Sequence, residues 1–244
     1  MPEYDPLELD GAPMPELAEL LVSDEPRLRS DAACAIGDRL RTRELVALDA
    51  PLRERLSALL TDAVPGVRLE AAIALAEAHD PRATDVLVEA LRSRSLRLDA
   101  TRALGSSGDV RAIEPLRALM GRWLLPWADK LQAAAALCAL GDPSGAAYLK
   151  ARLSSRRQHE RAATVHFLGE SRHPEARALL EAILADLTHP LRDVAARALG
   201  LLGDPGARSA LEAAKAHADD ELRADIDGAL AALGRMRAPP PVRA

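Results

Sequence analysis

The chain has 244 residues, 48% hydrophobic and 28% charged, with a formal net charge of −5 and a pI near 5.7. That is enough apolar material to bury a core, in one domain or in a repeat array. The acidic balance argues against a general nucleic-acid binder, whose affinity rests on neutralising phosphates, and no stretch approaches the ~18 apolar residues of a membrane span.

The first segment, MPEYDPLELD, is acidic and lacks the basic start and apolar run of a secretion signal. Residues 1–13 are expected to form a flexible lead, and the protein to be cytoplasmic. From residue 14 to 234 the text repeats. The third residue of an ALG-like triplet falls at Gly37, Ala76, Gly105, Cys138, Gly169, Gly200 and Ala231, with spacings of 39, 29, 33, 31, 31 and 31. Eight residues before each anchor stands a basic residue: Arg29, Arg68, Arg97, Lys130, Arg161, Arg192 and Arg223. Five residues before it stand Ala32, Ala71, Ala100, Ala133 and Ala195, with Thr164 and Ile226 as exceptions. The irregular spacings 39 and 29 point to a kink around residues 38–64.

Past most anchors comes a turn: His79-Asp80-Pro81, Gly108-Asp109, Gly141-Asp142-Pro143, His173-Pro174 and Gly203-Asp204-Pro205. Gly ends a helix in the left-handed conformation, Asp caps the next helix, and Pro fits its first turn. Each unit is therefore helix, turn, helix. Helix formers dominate, and only two Trp, two Tyr and one Phe are present, so Ala and Leu must fill the core. A two-helix period near 31 predicts an all-α fold, an α-solenoid of about seven repeats, since one such pair cannot bury its apolar face alone. Residues 235–244, RMRAPPPVRA, are basic, Pro-rich and without helical period. They are expected to form a flexible tail.

The pattern P-x-V/L-R-x-x-A-A-x-A-L-G-x-L-G-D-P, present as HPLRDVAARALGLLGDP (189–205) and VPGVRLEAAIALAEAHDP (64–81), resembles the HEAT-like repeats of bacteria, a group that includes phycobilin lyase subunits. The resemblance covers roughly 14–234 and implies architecture far more than activity. It implies that the basic column pairs with acids at the turns, Asp80, Asp109, Asp142 and Asp204, as a structural ladder. It also implies that the second helices line the concave surface.

Candidate chemistry is sparse. The dipeptide His159-Glu160 resembles the metal-binding pairs of the HEAT-repeat deoxyhypusine hydroxylase, but it stands alone and out of register. His159, His166 and His173 are spaced by seven, which sets the first two ~10 Å apart along one helix face, too far for one ion. No nucleophile–base pair or phosphate loop is visible. No catalytic residue, metal site or cofactor is expected. Two cysteines, Cys34 and Cys138, offer neither a disulfide framework nor a zinc spacing.

Counting ~100° per residue, positions three and seven before the anchor turn away from the Ala/Leu core. They place Leu69, Ile73, Leu98, Arg102, Leu131, His166 and Arg197 on an exposed binding face, which the resemblance implies to be concave. An exposed apolar patch of this kind marks a partner. The expected function is a non-catalytic scaffold or adaptor binding another protein or a peptide, with no nucleic-acid partner and no membrane insertion. The resemblance implies two alternatives: a bilin lyase or isomerase subunit, and a relative of the HEAT-like DNA glycosylases.

Overall fold

The structure, a computed structural model, describes residues 9, 11–171, 173 and 175–235. Most of the expected lead, the tail from residue 236, and Pro174 of the fifth turn lie outside these residues. The described residues are all-α, a solenoid of paired helices. First and second helices alternate: α1 (Met14–Leu20) with α2 (Pro26–Arg41), α3 (Ala50–Leu59) with α4 (Pro65–Glu77), α5 (Thr84–Ala90) with α6 (Arg97–Ser107), and α7 (Ile113–Met120) with α8 (Trp127–Ala139) in sequence. Then follow α9 (Pro143–Leu153) with α10 (Gln158–Glu170), α11 (Ala176–Ala185) with α12 (Arg192–Leu202), and α13 (Arg208–Ala214) with α14 (Asp220–Arg235).

The chain divides into two compact units, Met1–Arg122 and Trp123–Ala244. The division falls between α7 and α8, inside the fourth repeat, and not in the 38–64 stretch where the spacing is irregular. There the extra residues are taken up by a loop, 42–49, in which Arg43 has a positive φ of 63°. Asp49 closes the loop by accepting a hydrogen bond from the Leu52 N–H at 2.8 Å, capping α3.

Within each unit the second helices stack in series, α2–α4–α6 and α8–α10–α12–α14, and contact one another more closely than the first helices do. Their side is the tighter side of each stack. The anchor glycines explain the close approach. A Cβ at Gly169 would lie 2.6 Å from the Ala198 carbonyl oxygen, and one at Gly200 would lie 2.9 Å from the Ala229 Cα. Each of those alanines sits two residues before the next anchor. The repeated ALG is thus a docking surface between successive second helices: glycine from one unit receives alanine from the next.

The turns behave as their residues dictate. Gly108, Gly141 and Gly203 take φ of 72°, 78° and 68°, and His79 occupies the equivalent place at 54°. Asp80, Asp109, Asp142 and Asp204 each accept from the backbone N–H two residues on. Asp80 is held at about 2, chiefly by the hydrogen bonds of the Arg82 guanidinium. Asp109 is held at about 2 by Arg111.

The basic column is structural in form but is not the expected ladder. Arg68 donates to the Asp62 and Ala63 carbonyls, Arg97 to Leu91, Arg161 to Ser155, Arg192 to Leu184 and His217, and Arg223 to Ala218. Arg29 donates to the Ser23 and Asp24 carbonyls and pairs with Asp62 at 2.8 Å. These side chains fold back onto carbonyls freed at the end of their own repeat's first helix or in the following loop, and Arg29 and Arg192 also reach the next repeat, at Asp62 and the His217 carbonyl. The turn aspartates are already engaged by nearer partners: Asp80 by Arg82 and Arg53, Asp109 by Arg111, and Asp204 by Arg177.

The last residues of the lead are anchored. Leu9 is buried, and Arg39 donates to the carbonyls of Leu9 and Ala12 at 3.2 and 2.6 Å.

Candidate functional site

The structure separates the seven residues expected on the second-helix face. Leu98 is 52% exposed, but Leu69, Ile73 and Leu131 are 3%, 5% and 1% exposed. The angular count treated each helix as facing one core. A second helix in the stack meets the second helices before and after it as well as first helices, so far more than one stripe is covered. Every residue of α4 from Ala71 to Ala76 is buried. Leu69 lines a cavity of about 230 Å³ together with Val86, Glu89 and Ala90 of α5. The expected leucine patch does not exist as a surface.

Of the remaining three, Arg102 pairs with Glu77 at 3.4 Å. His166 meets Glu170 at 3.2 Å, and that hydrogen bond raises its pKa. Arg197 bridges Asp193 at 2.9 Å and Asp225 at 2.6 Å. Arg102 lies in the first unit, and His166 and Arg197 lie in the second.

The histidine series does not converge. His159 packs on the Trp127 ring, centroids 5.4 Å apart. His173 accepts from the Glu175 N–H through Nδ1. Glu160 accepts from Ser155 and Arg157, which holds its carboxyl below the usual range, the Ser155 hydroxyl first. Among the described residues no group of three His, Cys, Asp or Glu could hold a metal ion.

What sequence reading missed lies one step round the helix. In the first unit, positions six before and one after the anchor are acidic: Asp31 and Asp38 on α2, Glu70 and Glu77 on α4, and Asp99 on α6. In the sequence they form two columns beside the apolar positions. Three guanidiniums answer these five carboxylates. Arg27 meets Asp31 at 3.6 Å, Arg41 meets Asp38, and Arg102 meets Glu77. Glu70 sits among them, opposed by the charges of Asp99 and Asp38 and favoured by that of Arg102. Burial, then Asp99, raises its pKa, and the Cys34 thiol hydrogen-bonds to it. Burial and the Glu70 charge in turn push the Cys34 thiol up to about 12. Cys34 is therefore a protonated donor at neutral pH and no nucleophile.

In the second unit the same columns read Gln132, Ala163, Val194 and Asp225, then Ala139, Glu170, Leu201 and Ala232. The two carboxylates there, Asp225 and Glu170, are met by Arg197 and His166. In these two columns, among the described residues, carboxylates outnumber their cationic partners in the first unit and not in the second.

Residues 52–122 match the family of HEAT repeats. No curated protein matches the chain. The fold is similar to the complex of CpcE and CpcF of phycocyanin lyase from Nostoc sp. PCC7120, with a TM-score of 0.56, 20% identity, and coverage of 91% of this chain and 95% of that one. Human deoxyhypusine hydroxylase gives a TM-score of 0.40 at 21% identity, covering 94% and 88%. A designed armadillo repeat protein gives 0.44 at 17% identity, covering 91% and 100%. At such identities the likeness concerns the fold alone, a solenoid of helical repeats, with HEAT repeats matched over residues 52–122.

Proposed function

We propose that the chain is a non-catalytic scaffold that binds a protein or peptide segment on its second helices, and that the acidic face of α2, α4 and α6 selects a basic segment. The observation that carries this reading is the pair of acidic columns, in which five carboxylates, Asp31, Asp38, Glu70, Glu77 and Asp99, meet three guanidiniums. Burial and then the Asp99 charge raise the pKa of Glu70, so an incoming ammonium or guanidinium adds a countercharge where like charges already oppose one another. Exposed Leu98, on the same helix as Asp99 and Arg102, supplies an apolar contact beside the charges. The paired face of the second unit has no such unmet charge.

Titration of a Lys/Arg-rich octapeptide into the full chain, followed by calorimetry at two salt concentrations, tests the reading. Saturable binding that weakens with salt and is lost in Glu70→Gln/Asp99→Asn supports it. Equal binding by the double variant overturns it. A bilin added in parallel separates the lyase alternative, since a coloured complex would replace the scaffold reading.

A further inference from the structure

The two tryptophans of the chain stand four residues apart, in the stretch RWLLPW that leads into α8. Neither is core. Trp123 is 89% exposed, Leu124 84% and Trp127 37%, while Leu125 beside them is buried and pins the loop. Trp127 tilts against His159 at the start of α10. In a chain whose core is alanine and leucine, two wet indoles on a pinned loop are costly to solubility, and the folded unit gains little from them.

Next to Trp127 in sequence stand Asp129 and Lys130, of opposite sign, so recognition falls to the rings. Aromatic surfaces of this kind take up proline-rich segments, whose pyrrolidine faces stack on indole and whose extended form costs little entropy to fix. The chain carries one such segment beyond α14: residues 236–244, MRAPPPVRA, in which Arg237 and Arg243 flank Pro239, Pro240 and Pro241. Guanidiniums so placed add cation–π contact to an indole.

Reach decides which molecule supplies it. The second helices of the unit run in the same direction, so α14 ends at the opposite end of the stack from the start of α8. Three helix steps of 8–10 Å and a helix length of ~20 Å separate Arg235 from Trp127 by roughly 35 Å. Six residues from Arg235 to Pro241 span at most ~22 Å. The prolines fall short of the tryptophans of their own unit.

We propose that Trp123, Leu124 and Trp127 form a docking site for the proline-rich segment 236–244 of a second copy of this chain. Such a contact joins two different surfaces and links molecules head to tail.

Light scattering tests this on the full chain and on a chain lacking 236–244. The full chain gains mass with concentration and the shortened chain stays monomeric. Because both tryptophans lie in the site, their emission reports it directly. The peptide RMRAPPPVRA added to the shortened chain shifts the emission saturably, and the same peptide with its prolines changed to alanine does not. Trp123→Ala, with an unchanged melt, lowers affinity for the labelled peptide at least tenfold. The proposal is overturned if the shortened chain associates like the full one, if the peptide leaves the emission unchanged, or if the acidic peptide MPEYDPLE shifts it as strongly.

Discussion

The two units carry out the same repeat with opposite economies of charge and space. In the first unit the second-helix face holds five carboxylates against three guanidiniums, and Glu70 is left with its pKa raised. In the second the corresponding acids are met, Glu170 by His166 and Asp225 by Arg197. Packing differs in the other sense. A Cβ at Gly37 in the first unit would meet Ala74 at 3.4 Å, a tight but adjustable contact. At Gly169 and Gly200 it would intrude to 2.6 and 2.9 Å against backbone atoms. At these anchor glycines the second unit leaves less room for a side chain, and in the acidic columns the first is the more poorly neutralised. A repeat sequence therefore fixes how helices meet, while the positions beside the docking surface are free to differ and give each face its own chemistry.

The largest effect should come from the shared core. Leu104 is fully buried, one residue before its anchor, and Leu104→Ala is expected to cost ~2–5 kcal/mol in urea unfolding. Leu98→Glu, six residues earlier on the same helix, should leave the melt unchanged and reach only binding. If the two destabilise alike, Leu98 is not the surface residue described.

The next effect sets the units against each other. Gly169→Ala and Gly200→Ala must push backbone from backbone and should cost ~1–3 kcal/mol despite alanine's better helix propensity. Gly37→Ala should be near neutral. Equal costs measured by denaturant titration would remove the difference in stacking.

Acid should act on the first unit through its turns. Asp80 and Asp109 have folded pKa values of about 2, below their unfolded value near 3.8. Their contribution is therefore fully present above pH ~4 and is lost as pH falls from there through 2. Asp80 is 4% exposed, and its share is roughly 1–2 kcal/mol. Asp80→Asn should flatten stability between pH 4 and 2, measured as the urea midpoint against pH.

The smallest effect belongs to the arginine column. Arg161→Ala loses the bond to the Ser155 carbonyl, which water can replace at that half-buried site, for about 1 kcal/mol or less. A melt on the variant measures it.

Much of this was legible beforehand. The anchors, the Gly-Asp-Pro turns and the burial of Leu104 follow from local chemistry: a left-handed glycine, a capping carboxylate, an alanine small enough for close approach. What was not legible depends on neighbours that are distant in sequence. Leu69, Ile73 and Leu131 count as outward on an isolated helix and are covered by the next one. The resemblance implied arginines paired with the turn acids, but freed carbonyls lie nearer. The division at Trp123 was hidden because spacing reports insertions and deletions, not contacts. The exposed tryptophans did have a signal, an apolar run in a turn position just before Pro126, where the other repeats are polar.

The central claim is that the first unit's second helices are a receptor for positive charge and the second unit's are not. Calorimetry of the Lys/Arg-rich octapeptide tests it most directly on three proteins: the unaltered chain, Glu70→Gln/Asp99→Asn, and Glu170→Gln/Asp225→Asn. The account predicts salt-sensitive binding to the first, at least tenfold weaker binding to the second, and binding to the third unchanged within twofold. Loss of binding in the third with retention in the second would contradict it.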